Sequence, residues 1–403
     1  FRYCFDGDGK FPVAIVLGSD GIDDSFDTEE NQVNFYVQTL ESIVKNGIDT
    51  EKTTFLFLSF GSKDTPRPSQ KRRGGKRKID VCPKTPRIFS LILYRTNCSN
   101  RMDFGFLKIA AATPGVKAGD CSHNIARIAG LIREADRQGV SVAAFPELCI
   151  TGYPCGDLFG QPFLIEQAER ALARLLADTA SCRTVCIAGM PLAVDNRLYN
   201  TAVVFGSGII FGVVPKTYLP NYDEFYEARW FASGAEPHRE TVELCGQQVP
   251  FSTDLLFEDG KVCFGVEICE DLWVPHPPSS RLAVAGATLL VNLSASDEMV
   301  GKHAYLRSLI AQQSARTLSA YLYSSAGFGE SSTDVVFAGN GLIAENGIFL
   351  NESERFSLEE QLTVAETDIE RLLTLRRKTN TFASYGSGTL CKRIPVALRA
   401  DRE

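Results

Sequence analysis

The chain has 403 residues, of which 44% are hydrophobic, so it is long enough for two or three domains and can bury a sizeable core. Its formal net charge of -7 argues against nucleic acid as a partner. No apolar run is long enough to span a bilayer, so we expect neither a membrane span nor a secretory leader. The twelve cysteines show no repeated spacing, which favours free thiols and a cytoplasmic setting over a disulfide framework.

Residues 1–64 form the first predicted unit, a partial α/β segment. The apolar pattern predicts a strand, a helix and a second strand, at 13–18, 34–45 and 54–60. Each strand is followed by an aspartate, Asp20 or Asp64, which is how metal-dependent phosphatases place ligands around Mg²⁺ or Mn²⁺. The segment resembles the C-terminal end of a PPM-type (protein phosphatase 2C-like) phosphatase. Because the rest of such a fold is absent, we expect a remnant and no working metal site.

Residues 65–101 are predicted to be a basic, disordered linker. The run 71–78, Lys-Arg-Arg-Gly-Gly-Lys-Arg-Lys, has no interleaved aromatic residues and no periodic element close behind it. This composition is typical of a solvated segment more than of a nucleic-acid patch. Since Met102 opens a segment of regular patterning, we expect the preceding residues to be an extension fused to an intact reading frame.

From residue 102 onward, predicted strands alternate with amphipathic helices and β-hairpins. Strands are predicted at 107–112, 140–145, 184–190, 200–205, 208–214, 262–268, 288–292 and 320–326, with a final pair between 334 and 342. Helices are predicted at 124–137, 165–179, 278–286 and 303–319. The alternation indicates a layered α/β domain with helices outside two sheets.

Three reactive side chains, Glu147, Lys216 and Cys269, each follow an apolar strand. Because strand ends converge in α/β folds, the three can meet in one pocket, although each alone is more often a loop or packing residue. Together they form a hydrolytic set: Cys269 attacks, Glu147 moves protons, and Lys216 supplies positive charge and holds an oxyanion. The histidines follow no strand in a comparable motif, so a Cys-His arrangement is less favoured: His123, His238, His276 and His303.

Three segments carry a family resemblance: 145–154 (FPELCITGYP), 215–227 (PKTYLPNYDEFYE) and 267–273 (EICEDLW). They resemble the signature motifs of the nitrilase (carbon–nitrogen hydrolase) superfamily. Within it, they are most similar to the N-terminal glutaminase domain of bacterial glutamine-dependent NAD⁺ synthetases. The resemblance implies a four-layer αββα sandwich over residues 102–380.

The resemblance also implies roles for individual residues. Glu147, Lys216 and Cys269 would be the catalytic triad, and Glu224 an auxiliary carboxylate that orients it. L-Glutamine would be the substrate, hydrolysed through a γ-glutamyl thioester on Cys269. A set of pocket residues would hold the amino-acid end of the substrate: Tyr222, Phe225, Glu270, Ser296 and Lys302.

The sequence departs from that family after the nitrilase-like region. Residues 362–381 resemble the strap that joins the two halves of a synthetase, and residues 381–403 are predicted to be a tail leading toward a synthetase domain not contained in this sequence. We therefore expect no cofactor and no metal in this chain, with ATP and Mg²⁺ confined to the synthetase domain that would accept the ammonia. We also expect a homo-oligomer. Two alternatives stay open: a stand-alone carbon–nitrogen hydrolase acting on another ω-amide, and a catalytically silent assembly module.

Overall fold

The computed structural model describes residues 2–5, 12–20, 54–61, 105–235, 239–385 and 391–398. The chain divides into two units, Phe1–Asn100 and Arg101–Glu403. In the first unit the described residues form the strands β1 (Arg2–Phe5), β2 (Pro12–Asp20) and β3 (Thr54–Gly61). Strand β2 lies between the other two, antiparallel to β1 and parallel to β3. The two predicted strands are thus present, whereas the predicted helix at 34–45, Asp64 and the linker at 65–101 lie outside the described residues.

The second unit contains the strands β4 (Phe106–Thr113), β5 (Val142–Ala144), β6 (Val185–Val194), β7 (Arg197–Gly206), β8 (Ile209–Pro215), β9 (Asn221–Tyr222), β10 (Phe225–Tyr226), β11 (Thr241–Leu244), β12 (Gln247–Pro250), β13 (Leu255–Asp259), β14 (Val262–Ile268), β15 (Leu289–Ser294), β16 (Ala320–Ser325), β17 (Gly341–Glu345), β18 (Ile348–Glu352), β19 (Gln361–Asp368) and β20 (Lys392–Pro395). Its helices are α1 (Cys121–Arg137), α2 (Pro162–Asp178), α3 (Pro278–Val284), α4 (Lys302–Arg316), α5 (Ile369–Lys378) and α6 (Asn380–Tyr385).

These elements build two mixed sheets with helices on their outer faces. One sheet has the order β19-β4-β5-β6-β7-β8 and the other β18-β17-β16-β15-β14-β13-β20. Side chains from both sheets share one buried core, to which Ile109 of β4 and Val266 of β14 belong. Separate outer cores form where α1 and α2 cover the first sheet and where α3 and α4 cover the second. The predicted αββα sandwich is therefore confirmed.

Local sequence explains where the first helix begins. Helix α1 starts three residues earlier than predicted because the Asp120 carboxylate accepts a hydrogen bond from the backbone N–H of His123 at 3.0 Å and so caps the helix. Buried residues at the 3.6-residue spacing, among them Ile125, Ile128 and Ile132, then hold the helix against the sheet.

Two predictions near the C-terminal end were wrong. The final strand pair is β17 and β18, later in the chain than predicted. Val335 and Phe337 join neither of the two sheets and pack against Tyr153 and Phe225. Residues 391–398 are not a tail leading away from the domain. Strand β20 pairs in parallel with β13, and Val396 and Leu398 are buried in the core between the sheets.

The segment predicted as a strap also belongs to the sandwich. Strand β19 pairs with β4 in antiparallel register along its whole length, and helix α5 follows it. Helix α5 carries Arg376, a buried guanidinium that donates to the backbone oxygens of Leu318 at 3.0 Å, Thr317 at 2.9 Å and Ala287 at 2.6 Å. It also reaches the oxygen of Ala283, in the last turn of α3. Burial lowers the pKa of Arg376 to about 10, so it remains charged at neutral pH and stabilises the C-terminal ends of α3 and α4.

Replacing this arginine should destabilise the fold strongly. Arg376→Met leaves several buried carbonyl oxygens without donors, so the free energy of unfolding should fall by about 3 kcal/mol. The neighbouring Arg377 is exposed and donates to Thr374 in the same helix, so Arg377→Met serves as the matched control and should change stability by less than about 0.5 kcal/mol. Urea denaturation followed by circular dichroism measures both, and equal midpoints for the two variants would contradict this role.

Candidate active site

Cys269 lies where the buried strand β14 ends and a short 3-10 helix, Cys269–Leu272, begins. Its backbone has φ = 45°, a left-handed conformation that is unusual for a residue with a side chain. The carboxylate of Asp271 holds this turn, because it accepts from the backbone N–H of Ile268 at 3.0 Å and of Tyr218 at 2.8 Å. Asp271 thereby connects the turn of Cys269 to the loop that carries Lys216.

Lys216 follows β8 and is completely buried. Its ammonium nitrogen Nζ donates to Glu147 Oε1 at 2.6 Å and to Glu227 Oε1 at 2.7 Å. Burial acts to lower the pKa of Lys216, but the two carboxylates together hold that pKa well above its usual value. The lysine is therefore charged at neutral pH, and a third N–H remains to donate to another acceptor.

Glu147 lies in the loop after β5 and is also completely buried. Besides the bond from Lys216, its carboxylate accepts from Asn200 Nδ2 at 2.7 Å on Oε1 and from the backbone N–H of Ala295 at 2.8 Å on Oε2. The loop packs tightly over Gly189, where an added Cβ would come within 2.1 Å of the backbone nitrogen of Leu148. A glycine is therefore required beneath Glu147.

The sulfur of Cys269 is buried beside these charges. Burial is the main cause that raises the pKa of Cys269 well above that of an ordinary thiol, and Glu147 and Glu227 raise it further. Lys216 and the backbone N–H of Ala295 act in the opposite direction. The thiol is consequently neutral in the resting site, close to both a carboxylate and an ammonium group.

One residue of the predicted site has to be corrected. Glu224 does not contact Lys216, because it lies in the turn between β9 and β10, where its carboxyl bonds to Asp297. The carboxylate beside Lys216 is that of Glu227, which begins the next 3-10 helix, Glu227–Arg229. Tyr153 also donates to Glu227 Oε1, at 2.8 Å, and burial raises the pKa of Glu227 to about 7.

The other predicted residues lie together. A pocket of about 420 Å³ opens at Cys269, and all five residues predicted to hold the substrate line it: Tyr222, Phe225, Glu270, Ser296 and Lys302. The Tyr222 hydroxyl donates to the Glu270 carboxylate at 2.9 Å. Lys302 forms an ion pair with Asp297, and its Nζ lies 5.2 Å from the ring centre of Trp273 and 5.8 Å from that of Phe225. The pocket thus offers both a carboxylate and an ammonium group beside the thiol.

Sequence reasoning missed four residues that contact the cluster. Tyr153 and Asp271 stand inside the motifs at 145–154 and 267–273, and Glu227 ends the one at 215–227, so a signal for them existed. Asn200 stands at the start of a predicted strand with nothing to distinguish it.

Neither a metal cluster nor a spanning helix occurs in the part of the chain that the structure describes. No group of three or more His, Cys, Asp or Glu side chains in that part is placed to hold a metal ion. No helix there is long and apolar enough to cross a membrane.

The αββα sandwich with Glu147, Lys216 and Cys269 gathered at its strand ends is the architecture of an enzyme class that cleaves carbon–nitrogen bonds. Residues 108–377 match the model of the carbon-nitrogen hydrolase family, and the chain belongs to that family. The resemblance of the three motifs is thus confirmed. The resemblance of residues 1–64 to a phosphatase stays a prediction.

Two relatives share a narrower name. The glutamine-dependent NAD(+) synthetase of Mycobacterium leprae is 42% identical over 286 residues, which are 70% of this chain and 42% of that protein. The crystal structure of a glutamine-dependent NAD(+) synthetase from Cytophaga hutchinsonii is 30% identical, with a TM-score of 0.58 over 65% of this chain and 43% of that one. The chain therefore spans less than half the length of each of these synthetases.

A third similarity bears on the fold alone. An amidase from Nesterenkonia of the nitrilase superfamily is 18% identical, with a TM-score of 0.52, and the match covers 68% of this chain and 95% of the amidase. The sandwich of this chain is therefore similar to an almost complete chain of that superfamily.

The correction from Glu224 to Glu227 can be tested by a matched pair of substitutions. Glu227→Gln removes one of the two carboxylates beside Lys216, so kcat for amide hydrolysis should fall at least 10²-fold. Glu224→Gln acts at the rim of the pocket and should change KM more than kcat. Steady-state ammonia release measures both constants, and a larger kcat loss for Glu224→Gln would restore the original assignment.

Proposed function

We propose that residues 102–398 hydrolyse the side-chain amide of L-glutamine to glutamate and ammonia, with Cys269 as the nucleophile. The observation that carries this proposal is the buried cluster of Glu147, Lys216 and Cys269, in which Cys269 lines a pocket that offers an anion and a cation. The names of the two synthetase relatives, both glutamine-dependent, support glutamine as the substrate.

The first half-reaction forms a thioester. As the sulfur attacks the amide carbon, Glu147 takes the thiol proton and the carbonyl oxygen becomes an oxyanion. The third N–H of Lys216 donates to that oxyanion, with the backbone N–H of Glu270 proposed as a second donor. Glu147 then gives its proton to the leaving nitrogen, the C–N bond breaks and ammonia departs.

The second half-reaction releases glutamate. Water attacks the thioester carbon while Glu147 accepts its proton, so a second tetrahedral oxyanion forms beside Lys216. The C–S bond breaks, the thiol regains a proton from Glu147, and the site returns to its resting state.

The pocket chemistry fits a free amino acid. The α-ammonium group of glutamine would bind to the carboxylate of Glu270, which Tyr222 fixes in place. The α-carboxylate would bind to Lys302 and to the hydroxyl of Ser296, while Phe225 forms a wall of the pocket. A plain aliphatic amide could use neither set of contacts.

In the cell, the released ammonia would pass to a synthetase domain that amidates nicotinate adenine dinucleotide, and ATP and Mg²⁺ would bind to that domain. We further propose a cytoplasmic homo-oligomer. The described cysteines are all free thiols, which suits a reducing compartment, and exposed Met299, Val300 and Tyr305 beside the pocket suit a subunit or domain contact.

Removing the nucleophile tests the reaction itself. Cys269→Ala should reduce ammonia release from L-glutamine at least 10⁴-fold while the thermal midpoint changes by only a few degrees. Cys263→Ala, which removes a buried thiol within strand β14, is the control and should retain turnover within a few-fold. Turnover by Cys269→Ala near the wild-type rate would refute the proposal.

A substrate pair tests the binding of the α-ammonium group. Glu270→Gln should raise KM for L-glutamine about 10- to 100-fold, because an ammonium group loses its charged partner. KM for glutaramate, which lacks the α-ammonium group, should hardly change. Ammonia release at varied concentrations measures both. A wild-type preference for glutaramate or an aliphatic amide would instead favour a different ω-amidase.

A further inference from the structure

Asn200 contacts two members of the catalytic cluster at once. It lies in β7, is almost fully buried, and donates from Nδ2 to Glu147 Oε1 at 2.7 Å. Its backbone oxygen accepts from the backbone N–H of Lys216 at 2.8 Å. One residue therefore sets the spacing between the carboxylate and the ammonium group.

The hydrogen bond to Glu147 is what the polar side chain of Asn200 contributes. If the amide were rotated by 180°, Oδ1 would face the Glu147 carboxylate, and two hydrogen-bond acceptors would be in contact. The NH₂ group therefore faces Glu147. Within the described residues, Oδ1 has no hydrogen-bond partner. A buried polar side chain with an acceptor unused costs stability, and an apolar residue would fill the position at lower cost. The donor toward Glu147 is thus the feature of Asn200 that a purely structural residue would lack.

The two oxygens of Glu147 have different surroundings. Oε1 accepts from both Asn200 and Lys216, whereas Oε2, among the described residues, accepts only from the backbone N–H of Ala295. The same Ala295 N–H also interacts with the sulfur of Cys269. Since one amide contacts both atoms, Oε2 is the oxygen on the side of the thiol.

We propose that Asn200 is a positioning residue: together with Lys216 it occupies Glu147 Oε1, so that Oε2 faces Cys269 and receives the thiol proton as the sulfur attacks. Lys216 alone cannot fix the carboxylate, because its ammonium group must also contact Glu227 and the oxyanion. An amide suits this position because it donates a hydrogen bond and has no proton to lose at neutral pH. The inference rests on the proposed function for the role of Glu147 as the base.

The test measures the rate at which iodoacetamide alkylates Cys269 as a function of pH, from pH 5 to pH 10. Mass spectrometry quantifies the modified peptide, and the rates give a pH profile. Asn200→Leu removes the donor at similar volume, which disfavours the ionised carboxylate. The acidic limb of the profile should therefore move up by about one pH unit, with an about tenfold slower rate at pH 7. Asn200→Asp places a second carboxyl group beside Glu147 and should move the limb further. With L-glutamine, kcat/KM of Asn200→Leu should fall about 10²-fold.

Thr201→Val is the matched control. Thr201 is buried in the same strand and donates to the backbone oxygen of Met190 at 2.8 Å, away from the cluster. The variant should lower the urea midpoint and keep the wild-type alkylation profile. If Asn200→Leu fails to fold, the alkylation profile of the nearly isosteric Asn200→Asp tests the proposal instead.

The outcomes separate two claims. Alkylation profiles of the Asn200 variants that coincide with those of wild type and Thr201→Val would overturn the positioning role. A wild-type protein that does not release ammonia from glutamine would refute the proposed substrate. A displaced alkylation limb in Asn200→Leu would still support the positioning role, because alkylation requires no glutamine.

Discussion

The site depends on one buried ammonium group held between two carboxylates. Lys216 has no exposure to solvent, and Glu147 and Glu227 bind it at 2.6 and 2.7 Å. Removing one partner from such a cluster costs about 3–5 kcal/mol because a buried charge is left uncompensated. Neutral donors complete it: Asn200 and the Ala295 N–H on Glu147, and Tyr153 on Glu227. These contacts define where the chain must place its loops.

The charge of the cluster explains why a thiol can act here without a histidine. In the proposed reaction, the resting site holds a negative charge on Glu147 and a neutral thiol on either side of the charged Lys216. In the proposed tetrahedral intermediate Glu147 is neutral and the oxyanion carries the negative charge, so the net charge of the site does not change. The negative charge only moves from one side of Lys216 to another. A reaction that leaves the buried net charge unchanged avoids much of the desolvation cost of a free thiolate.

Much of this arrangement could be predicted from the sequence, and the limits have physical causes. Glu147, Lys216 and Cys269 were identifiable because each follows an apolar strand, and strand ends converge. Glu224 and Glu227 could not be told apart, because both follow Lys216 within one loop. A two-residue hairpin at Asn221–Tyr222 and Phe225–Tyr226 puts Glu224 in its turn and leaves Glu227 to point inward.

Two of the missed strands, β19 and β20, were missed for a different reason. Strand β19 joins β4 across about 250 residues of sequence, and β20 completes the far edge of the second sheet. Charged residues interrupt the apolar pattern of both strands: β19 contains Glu366 and Asp368, and β20 contains Lys392 and Arg393. Edge strands with one exposed face lack the continuous apolar run that marks a buried strand. Pairing over such distances is set by the assembled sheets and not by local pattern.

Hydrogen bonds from backbone N–H groups connect the two sheets at the site. The N–H of Glu147, in the first sheet's loop, donates to the oxygen of Ser294 in β15 at 3.3 Å, and the N–H of Ala295 returns a bond to the Glu147 carboxylate. Asp271 adds a second connection, from the turn of Cys269 to the loop of Lys216. Such redundancy allows Cys269 to keep a left-handed backbone that costs about 1–3 kcal/mol. A cysteine held by strain in this way stays at the pocket, because relaxing its backbone would break the contacts that join the sheets.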